Sequence, residues 1–107
     1  MRRFVSLRRK ADFVALRRYG RRVSTATCNL YREESRSDDA SSLVGITVSK
    51  AIGKAVVRNR LRRRISAIVH DALAGRERMR LLVVPTTAAA NVSFATLRND
   101  LTPVLTR

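Results

Sequence analysis

A chain of 107 residues, 45% of them hydrophobic, can build one core and not two, so residues 1–107 are expected to form a single domain. Its 23 lysines and arginines face 8 acids, and the resulting net charge of +15 destabilises a small fold by self-repulsion unless a polyanion neutralises it. Arginine predominates over lysine, which suits phosphate forks and base stacking, so nucleic acid is the expected partner and an anionic membrane surface the alternative.

No apolar run approaches the ~18 residues of a membrane span, and the basic N-terminus lacks the apolar stretch of a signal peptide. A cytoplasmic protein is therefore expected. Cys28 is the only cysteine, which leaves no intrachain disulfide, and His70 is the only histidine, which leaves no plausible zinc set. Counting alone keeps a Cys28–His70 nucleophile pair open. Cys28 lies in a strand-like alternation, however, where a small buried thiol is the common case.

Residues 1–9 carry Arg2, Arg3, Arg8 and Arg9 around Phe4 and Leu7. A short helix is predicted over residues 10–18, with Phe13, Leu16 and Arg17 on one side and Gly20 as a left-handed cap. Periodicity makes Phe13 a core residue. Residues 22–32 read as the first strand, in which Ala26, Cys28 and Leu30 alternate with Thr25, Thr27, Asn29 and Tyr31. Tyr31 then has two readings: a stacking platform for single-stranded nucleic acid, or an amphipathic side chain at a sheet edge. Residues 33–42 are acidic and poor in apolar side chains, the pattern of a mobile hairpin loop whose charge keeps it off RNA. Residues 43–48 read as the next strand, with Val44, Ile46 and Val48 inward.

Residues 49–54 turn the chain, with Gly53 free to take positive φ. From Ala55 the period becomes helical. Val57, Leu61, Ile65, Ile68, Val69 and Ala72 fall within an arc of roughly 120° at about 100° per residue. Arg58 and Arg62 border that arc on one side and Arg60 and Arg64 approach it on the other, while Asn59, Arg63, Ser66 and His70 complete the polar surface. Lys54, Arg58, Arg60, Arg62, Arg63 and Arg64 place six cations in eleven residues without one acid. Like charges at i,i+4 cost a helix a few tenths of a kcal/mol per pair. A merely solvated face would interleave glutamates, so this face predicts an anionic partner.

The helix is expected to end near Leu73-Ala74 with Gly75 as its cap. Residues 76–80 read as a polar loop, and residues 81–84 as a buried strand stopped by Pro85. Residues 86–92 form a connection, and Ser93 caps a last helix with the stripe Phe94, Leu97, Leu101 and Val104/Leu105. Pro103 is expected to kink or end it. The order predicts an α/β (α+β) two-layer sandwich, with a small central sheet and the basic helix as the crossover between strands.

Gly53-Lys54 fails as a P-loop, because Val48 stands where the first glycine should be and Ala55 replaces the Mg²⁺-holding hydroxyl. No nucleophile has an obvious base, and the eight carboxylates show no two-metal spacing.

The run Val48-Ser-Lys-Ala-Ile-Gly-Lys-Ala-Val-Val-Arg-Asn-Arg-Leu-Arg-Arg63 closely resembles the Arg-Asn-Arg signature of the bacterial ribonuclease P protein component. Asp12-Phe13 ahead of Gly20, Leu30-Tyr31, and Ser93-Phe94 with Leu97 and Leu101 extend the likeness over nearly the whole chain. The resemblance implies a left-handed βαβ crossover, against the usual right-handed preference. It also implies a protein subunit that carries no catalytic residues. The RNA subunit would use Mg²⁺ to hydrolyse the bond between the 5′ leader and precursor tRNA. The protein would bind that RNA and hold the leader, paired 1:1 with the RNA, with higher assembly open.

Carried over by position, Lys54, Arg58, Asn59, Arg60, Arg62 and Arg63 would contact the catalytic RNA. Phe13, Arg17, Tyr31 and Lys50 would line the leader cleft. Arg17 and Cys28 stand where the family often has aromatics, Ala51 and Ser66 where it often has cations, and Arg64 where an apolar residue is usual. A ribosomal or nucleoid-type basic protein and an autonomous metal-dependent nuclease are the rivals, and neither accounts for the long motif.

Overall fold

The computed structural model describes residues 4–107; Arg2 and Arg3 of the basic N-terminal stretch lie outside them. In chain order come β1 (Phe4–Ser6), α1 (Lys10–Tyr19), β2 (Arg21–Ser24), β3 (Cys28–Glu34) and β4 (Ser42–Ile46), then α2 (Ala55–Ala72), β5 (Met79–Pro85) and α3 (Phe94–Leu105). The five strands form one sheet in the order β1-β4-β5-β3-β2. β4 runs parallel to β1 and β5, while β3 is antiparallel to β5 and β2. The α/β sandwich is present, with α2 as the crossover between the adjacent parallel strands β4 and β5.

Strand alternation sorts the side chains onto two faces. Leu30, Val44, Leu81 and Val83 turn to one side, where Leu61, Ile65, Ile68 and Val69 of α2 and Leu97, Leu101 and Leu105 of α3 complete the main core. Leu82, Leu43, Tyr31 and Val84 turn to the other, where α1 lays Leu16 and Phe13 beside Leu7. Helix α1 thus adds a partial layer on the far face.

The basic helix has the expected frame. Gly53 takes φ 150° ahead of it and Gly75 takes φ 70° after it, and Leu61, Ile65, Ile68, Val69 and Ala72 are buried. Ser93 caps α3 by accepting from the Thr96 amide at 3.1 Å, a contact worth about 1 kcal/mol. Pro103 does not end this helix, which runs on to Leu105. Its missing amide would have bonded Asn99, which is exposed, so water can satisfy that carbonyl, and buried Leu105 anchors the last turn.

Several local expectations are corrected. Gly20 is extended (φ −69°, ψ 152°) rather than left-handed, and its amide donates to the Leu16 carbonyl at 2.9 Å. A β-carbon there would stand 2.4 Å from that carbonyl oxygen, so close approach selects glycine. Residues 22–32 are not one strand, because the chain folds back between β2 and β3 with Val23 opposite Leu30. At that turn the Thr25 hydroxyl accepts from the Cys28 amide at 3.0 Å. Ala26 is exposed there and Thr27 is buried, the reverse of the predicted alternation. The Thr27 hydroxyl donates to Asp100 on α3, and its amide donates to the same carboxylate at 3.1 Å. Burial pushes the Asp100 pKa up, but hydrogen bonds from Thr25, Thr27 and the Ala26 backbone outweigh it and leave the carboxyl below its usual range.

Residues 33–42 do not form a hairpin. β3 and β4 lie on opposite sides of β5, so the segment crosses the end of that strand. It is anchored rather than loose, since Asp39 is buried against Arg80. Residues 79 and 80 belong to β5 and not to the preceding loop, and β1 had no sequence signal beyond Phe4 and Leu7.

Candidate RNA-binding surface

The six cations of the motif project from the start of α2. The N-cap residue Lys54 is exposed, as are Asn59, Arg60, Arg62 and Arg63, while Arg58 and Arg64 are half-buried. Arg58 Nε donates to the Gly53 carbonyl at 3.1 Å, which ties the helix to the glycine turn before it. Arg62 donates to Asn59 Oδ1 at 2.9 Å, one turn back. Arg64 donates to the Val92 carbonyl at 3.4 Å and braces α2 against the approach to α3.

Carbonyl and amide acceptors orient these guanidiniums without cancelling their charge. The ion pairs Arg36–Glu33, Arg80–Asp12 and Arg80–Asp39 lie elsewhere and take in none of the α2 arginines. The result is a run of cations on one rigid element, three of them oriented by the fold and none of them a partner in those ion pairs. That arrangement suits phosphates, which accept paired N–H bonds from a guanidinium.

The residues assigned to the leader cleft fall into two places. Tyr31 is half-buried on the α1 side of the sheet, and Arg17 of α1 sits over its ring with Cζ 6.0 Å from the centroid. Exposed Arg22 stands directly across from Tyr31 on β2. Phe13 belongs to the same apolar cluster but reaches toward β4, where Gly45 makes room for it; a β-carbon on Gly45 would stand 2.6 Å from the ring's Cε1. Phe13 also borders a groove of about 680 Å³ whose opposite wall includes Asn59, Arg62 and Arg63. Phe13 and the basic helix thus border one groove without packing in one cluster, since Phe13 lies on the α1 side of the sheet. Lys50 is exposed on the 3₁₀ turn Lys50–Ile52 and does not join that apolar cluster.

Cys28 is buried in the main core, and desolvation pushes its thiol up to about 11, so it packs as a small apolar side chain and is no nucleophile. Sequence reasoning missed the ion cluster beneath α1. Arg80 donates to both Asp39 oxygens at 3.0 Å and to Asp12 at 3.2 Å. Nothing in the local pattern could have linked those three distant positions.

A five-stranded α/β sandwich with a helix whose first three turns carry arginines and no acid, and with a tyrosine paired with an arginine on the other face of the sheet, defines a small basic nucleic-acid-binding protein. The chain matches the Ribonuclease P family over residues 1–107 and belongs to that family. The ribonuclease P protein component of Acidothermus cellulolyticus is 41% identical over 102 residues, spanning 94% of this chain and 85% of that one. The one from Streptomyces bikiniensis is 33% identical, spanning 94% and 89%. Among solved structures, the Staphylococcus aureus RNase P protein superposes with a TM-score of 0.84 at 25% identity, covering 94% of this chain and 91% of that one. The Thermotoga maritima RNase P protein, at 24% identity, shares the fold with a TM-score of 0.82 and covers 96% of both chains. The family sets this chain's partners as ribonuclease P RNA and a tRNA substrate.

Proposed function

We propose that this chain acts as one RNA-binding domain, the protein subunit of a cytoplasmic ribonuclease P ribonucleoprotein in which the RNA removes the 5′ leader of precursor tRNA. The observation that carries this reading is the unneutralised arginine face of α2 in a chain of this family. Lys54, Arg58, Asn59, Arg60, Arg62 and Arg63 grip the catalytic RNA, 1:1, and offset the repulsion between two RNA molecules brought together. Tyr31 stacks a leader base while Arg17 and Lys50 hold phosphates along its path, and Phe13 closes the cleft on the side nearest α2. The subunit contributes positioning, which lowers the barrier without acid–base chemistry of its own.

Mg²⁺ belongs to the RNA subunit in this reading. The chain's own carboxylates fit a metal poorly, since Asp12 and Asp39 face Arg80, and Asp100 accepts from Thr27. Among the described residues, no three His, Cys, Asp or Glu side chains gather at one point. No helix of the described residues is long and apolar enough to cross a membrane.

Leader recognition is tested by comparing precursor and mature tRNA binding to the assembled ribonucleoprotein. Loss of one base stack is worth about 1–3 kcal/mol, so Tyr31→Ala should reduce the preference for precursor about tenfold and leave mature tRNA binding unchanged. An equal loss for both tRNAs would show that Tyr31 supports the fold rather than the leader.

A further inference from the structure

A second set of arginines gathers at the end of the molecule remote from the start of α2. That helix has 18 residues, so its far end lies about 27 Å from its first turn. Arg76 and Arg78 follow the far end, and they line a pocket of about 590 Å³ with Arg21 of β2, Arg32 of β3 and Arg107. Leu30, Leu81 and Leu105 of the main core also line it, which puts the pocket on the α2–α3 face of the sheet, whereas Tyr31 lies on the α1 face.

These arginines carry the same signal as the start of α2, like charges held together. Arg21 and Arg32 stand directly opposite each other on neighbouring strands, a pairing that destabilises a sheet, and Arg32 is half-buried. None of the ion pairs described above takes in one of the five. Backbone carbonyls orient three of them without neutralising them. Arg32 donates to the Arg107 carbonyl at 3.1 Å, Arg76 to that of Thr106 and Arg78 to that of Asp39. A guanidinium has five N–H donors, so each keeps donors for an occupant. Of the glutamates in the lining, Glu33 pairs with Arg36 at 3.9 Å, and Glu34 and Glu77 are exposed. Five arginines against three glutamates leave an excess of cations.

No aromatic ring lines the pocket, so it offers phosphate contacts without a stacking platform. We propose that this pocket binds the phosphates of a single-stranded RNA segment that is neither the RNA on α2 nor the tRNA leader. The inference rests on the proposed ribonucleoprotein and gives it a further, sequence-independent RNA site. Such a site would hold a strand passing the assembled particle, while α2 and the Tyr31 face keep their own partners.

The test uses the ribonucleoprotein assembled with its cognate catalytic RNA and a labelled oligouridylate as probe. Arg21→Gln with Arg107→Gln removes two charges and none of the hydrogen bonds named above. This variant should bind the oligouridylate about tenfold more weakly, with a salt slope shallower by roughly 1.4, the value for two phosphates of a single strand. Stimulation of precursor tRNA cleavage should be unchanged. The free variant should unfold no earlier than the unsubstituted protein, because the Arg21–Arg32 repulsion is relieved. Arg9→Gln with Lys10→Gln, exposed at the start of α1, removes the same charge and should change oligouridylate binding less than twofold.

Unchanged oligouridylate binding in the Arg21/Arg107 variant would overturn the assignment. An equal loss in the Arg9/Lys10 variant would reduce the effect to net charge, and a loss confined to Tyr31→Ala would place the oligonucleotide on the leader face; both overturn it. Weaker binding of the catalytic RNA by the Arg21/Arg107 variant would assign the pocket to that RNA instead. Inorganic phosphate competing as well as the oligouridylate, phosphate for phosphate, would make it a small-anion site. An unsubstituted protein that stimulates no cleavage would fail the subunit reading itself, a result distinct from all of these.

Discussion

Arg80→Met is expected to destabilise the fold by about 3–5 kcal/mol, because it strands the buried Asp39 carboxylate without the guanidinium that pairs with both its oxygens. Arg80 sits in β5, only 6% exposed, and its guanidinium bridges Asp39 of the segment between β3 and β4 to Asp12 in the first turn of α1. One side chain therefore fastens the acidic segment and α1 to the sheet. Replacing both charges, as in Arg80→Met with Asp39→Leu, should cost less than Arg80→Met alone, since the only carboxylate then left without its partner is Asp12, which is partly exposed to water. Urea unfolding of the single and double variants measures the difference, and additive losses would deny the coupling.

The same pair predicts an acid limb. Hydrogen bonds from the Arg80 guanidinium, followed by one from the Arg36 amide, lower the Asp39 pKa from the usual 3.8 to about 2. The folded-state value lies below the unfolded one, so the stabilisation is fully present above pH 4 and is lost as the pH falls toward about 2. Asp100, also lowered, adds to this loss. Arg80→Met should flatten the part of the stability profile that Asp39 contributes.

Arg58→Ala with Arg62→Ala should weaken catalytic RNA binding by about one to two orders of magnitude, since charge-assisted bonds to phosphate are among the stronger polar contacts. If about six phosphates are neutralised by α2, log affinity should fall against log salt with a slope of roughly −4 to −5. The double variant should make that slope shallower by roughly 1.5 to 2. Tyr31→Ala should leave it nearly unchanged. A full slope in the double arginine variant would remove α2 from the RNA interface. Arg58 also holds the Gly53 carbonyl, so thermal unfolding of the variant separates lost contacts from a frayed helix start.

What could be read from the sequence divides by the range of the interactions involved. The α2 stripe, the turn at Gly53 and the Ser93 cap are set within a few residues, and each appears where the spacing placed it, whereas α2 ends at Ala72 with Leu73 as its C-cap and Gly75 takes its left-handed turn two residues further on. The position of β3 beside β5 is not local. Without it, residues 33–42 look like a hairpin and Asp39 looks solvated. Arg80 reads as the end of a polar loop because its partners lie 41 and 68 residues away. Thr27 reads as outward because the pleat rule assumes an unbroken strand, and the fold-back at Ser24–Cys28 breaks it.

The candidate surface divides in the same way. The arginines were visible as charge without compensation, and the structure keeps them free of acids. Tyr31 was visible as an aromatic on a polar face, but its partner Arg17 comes from a different element. Phe13 read as core, and as cleft lining by resemblance. Its position against Gly45 depends on how α1 crosses the sheet. The family likeness supplied roles for these residues, and the fold supplied their grouping.

The most direct measurement is 5′-leader cleavage of a precursor tRNA by the cognate catalytic RNA at low Mg²⁺, with and without this protein. Strong stimulation that requires the RNA, with the protein inert alone, is the predicted result. Cleavage by the protein alone, or no stimulation by a folded protein, would contradict it.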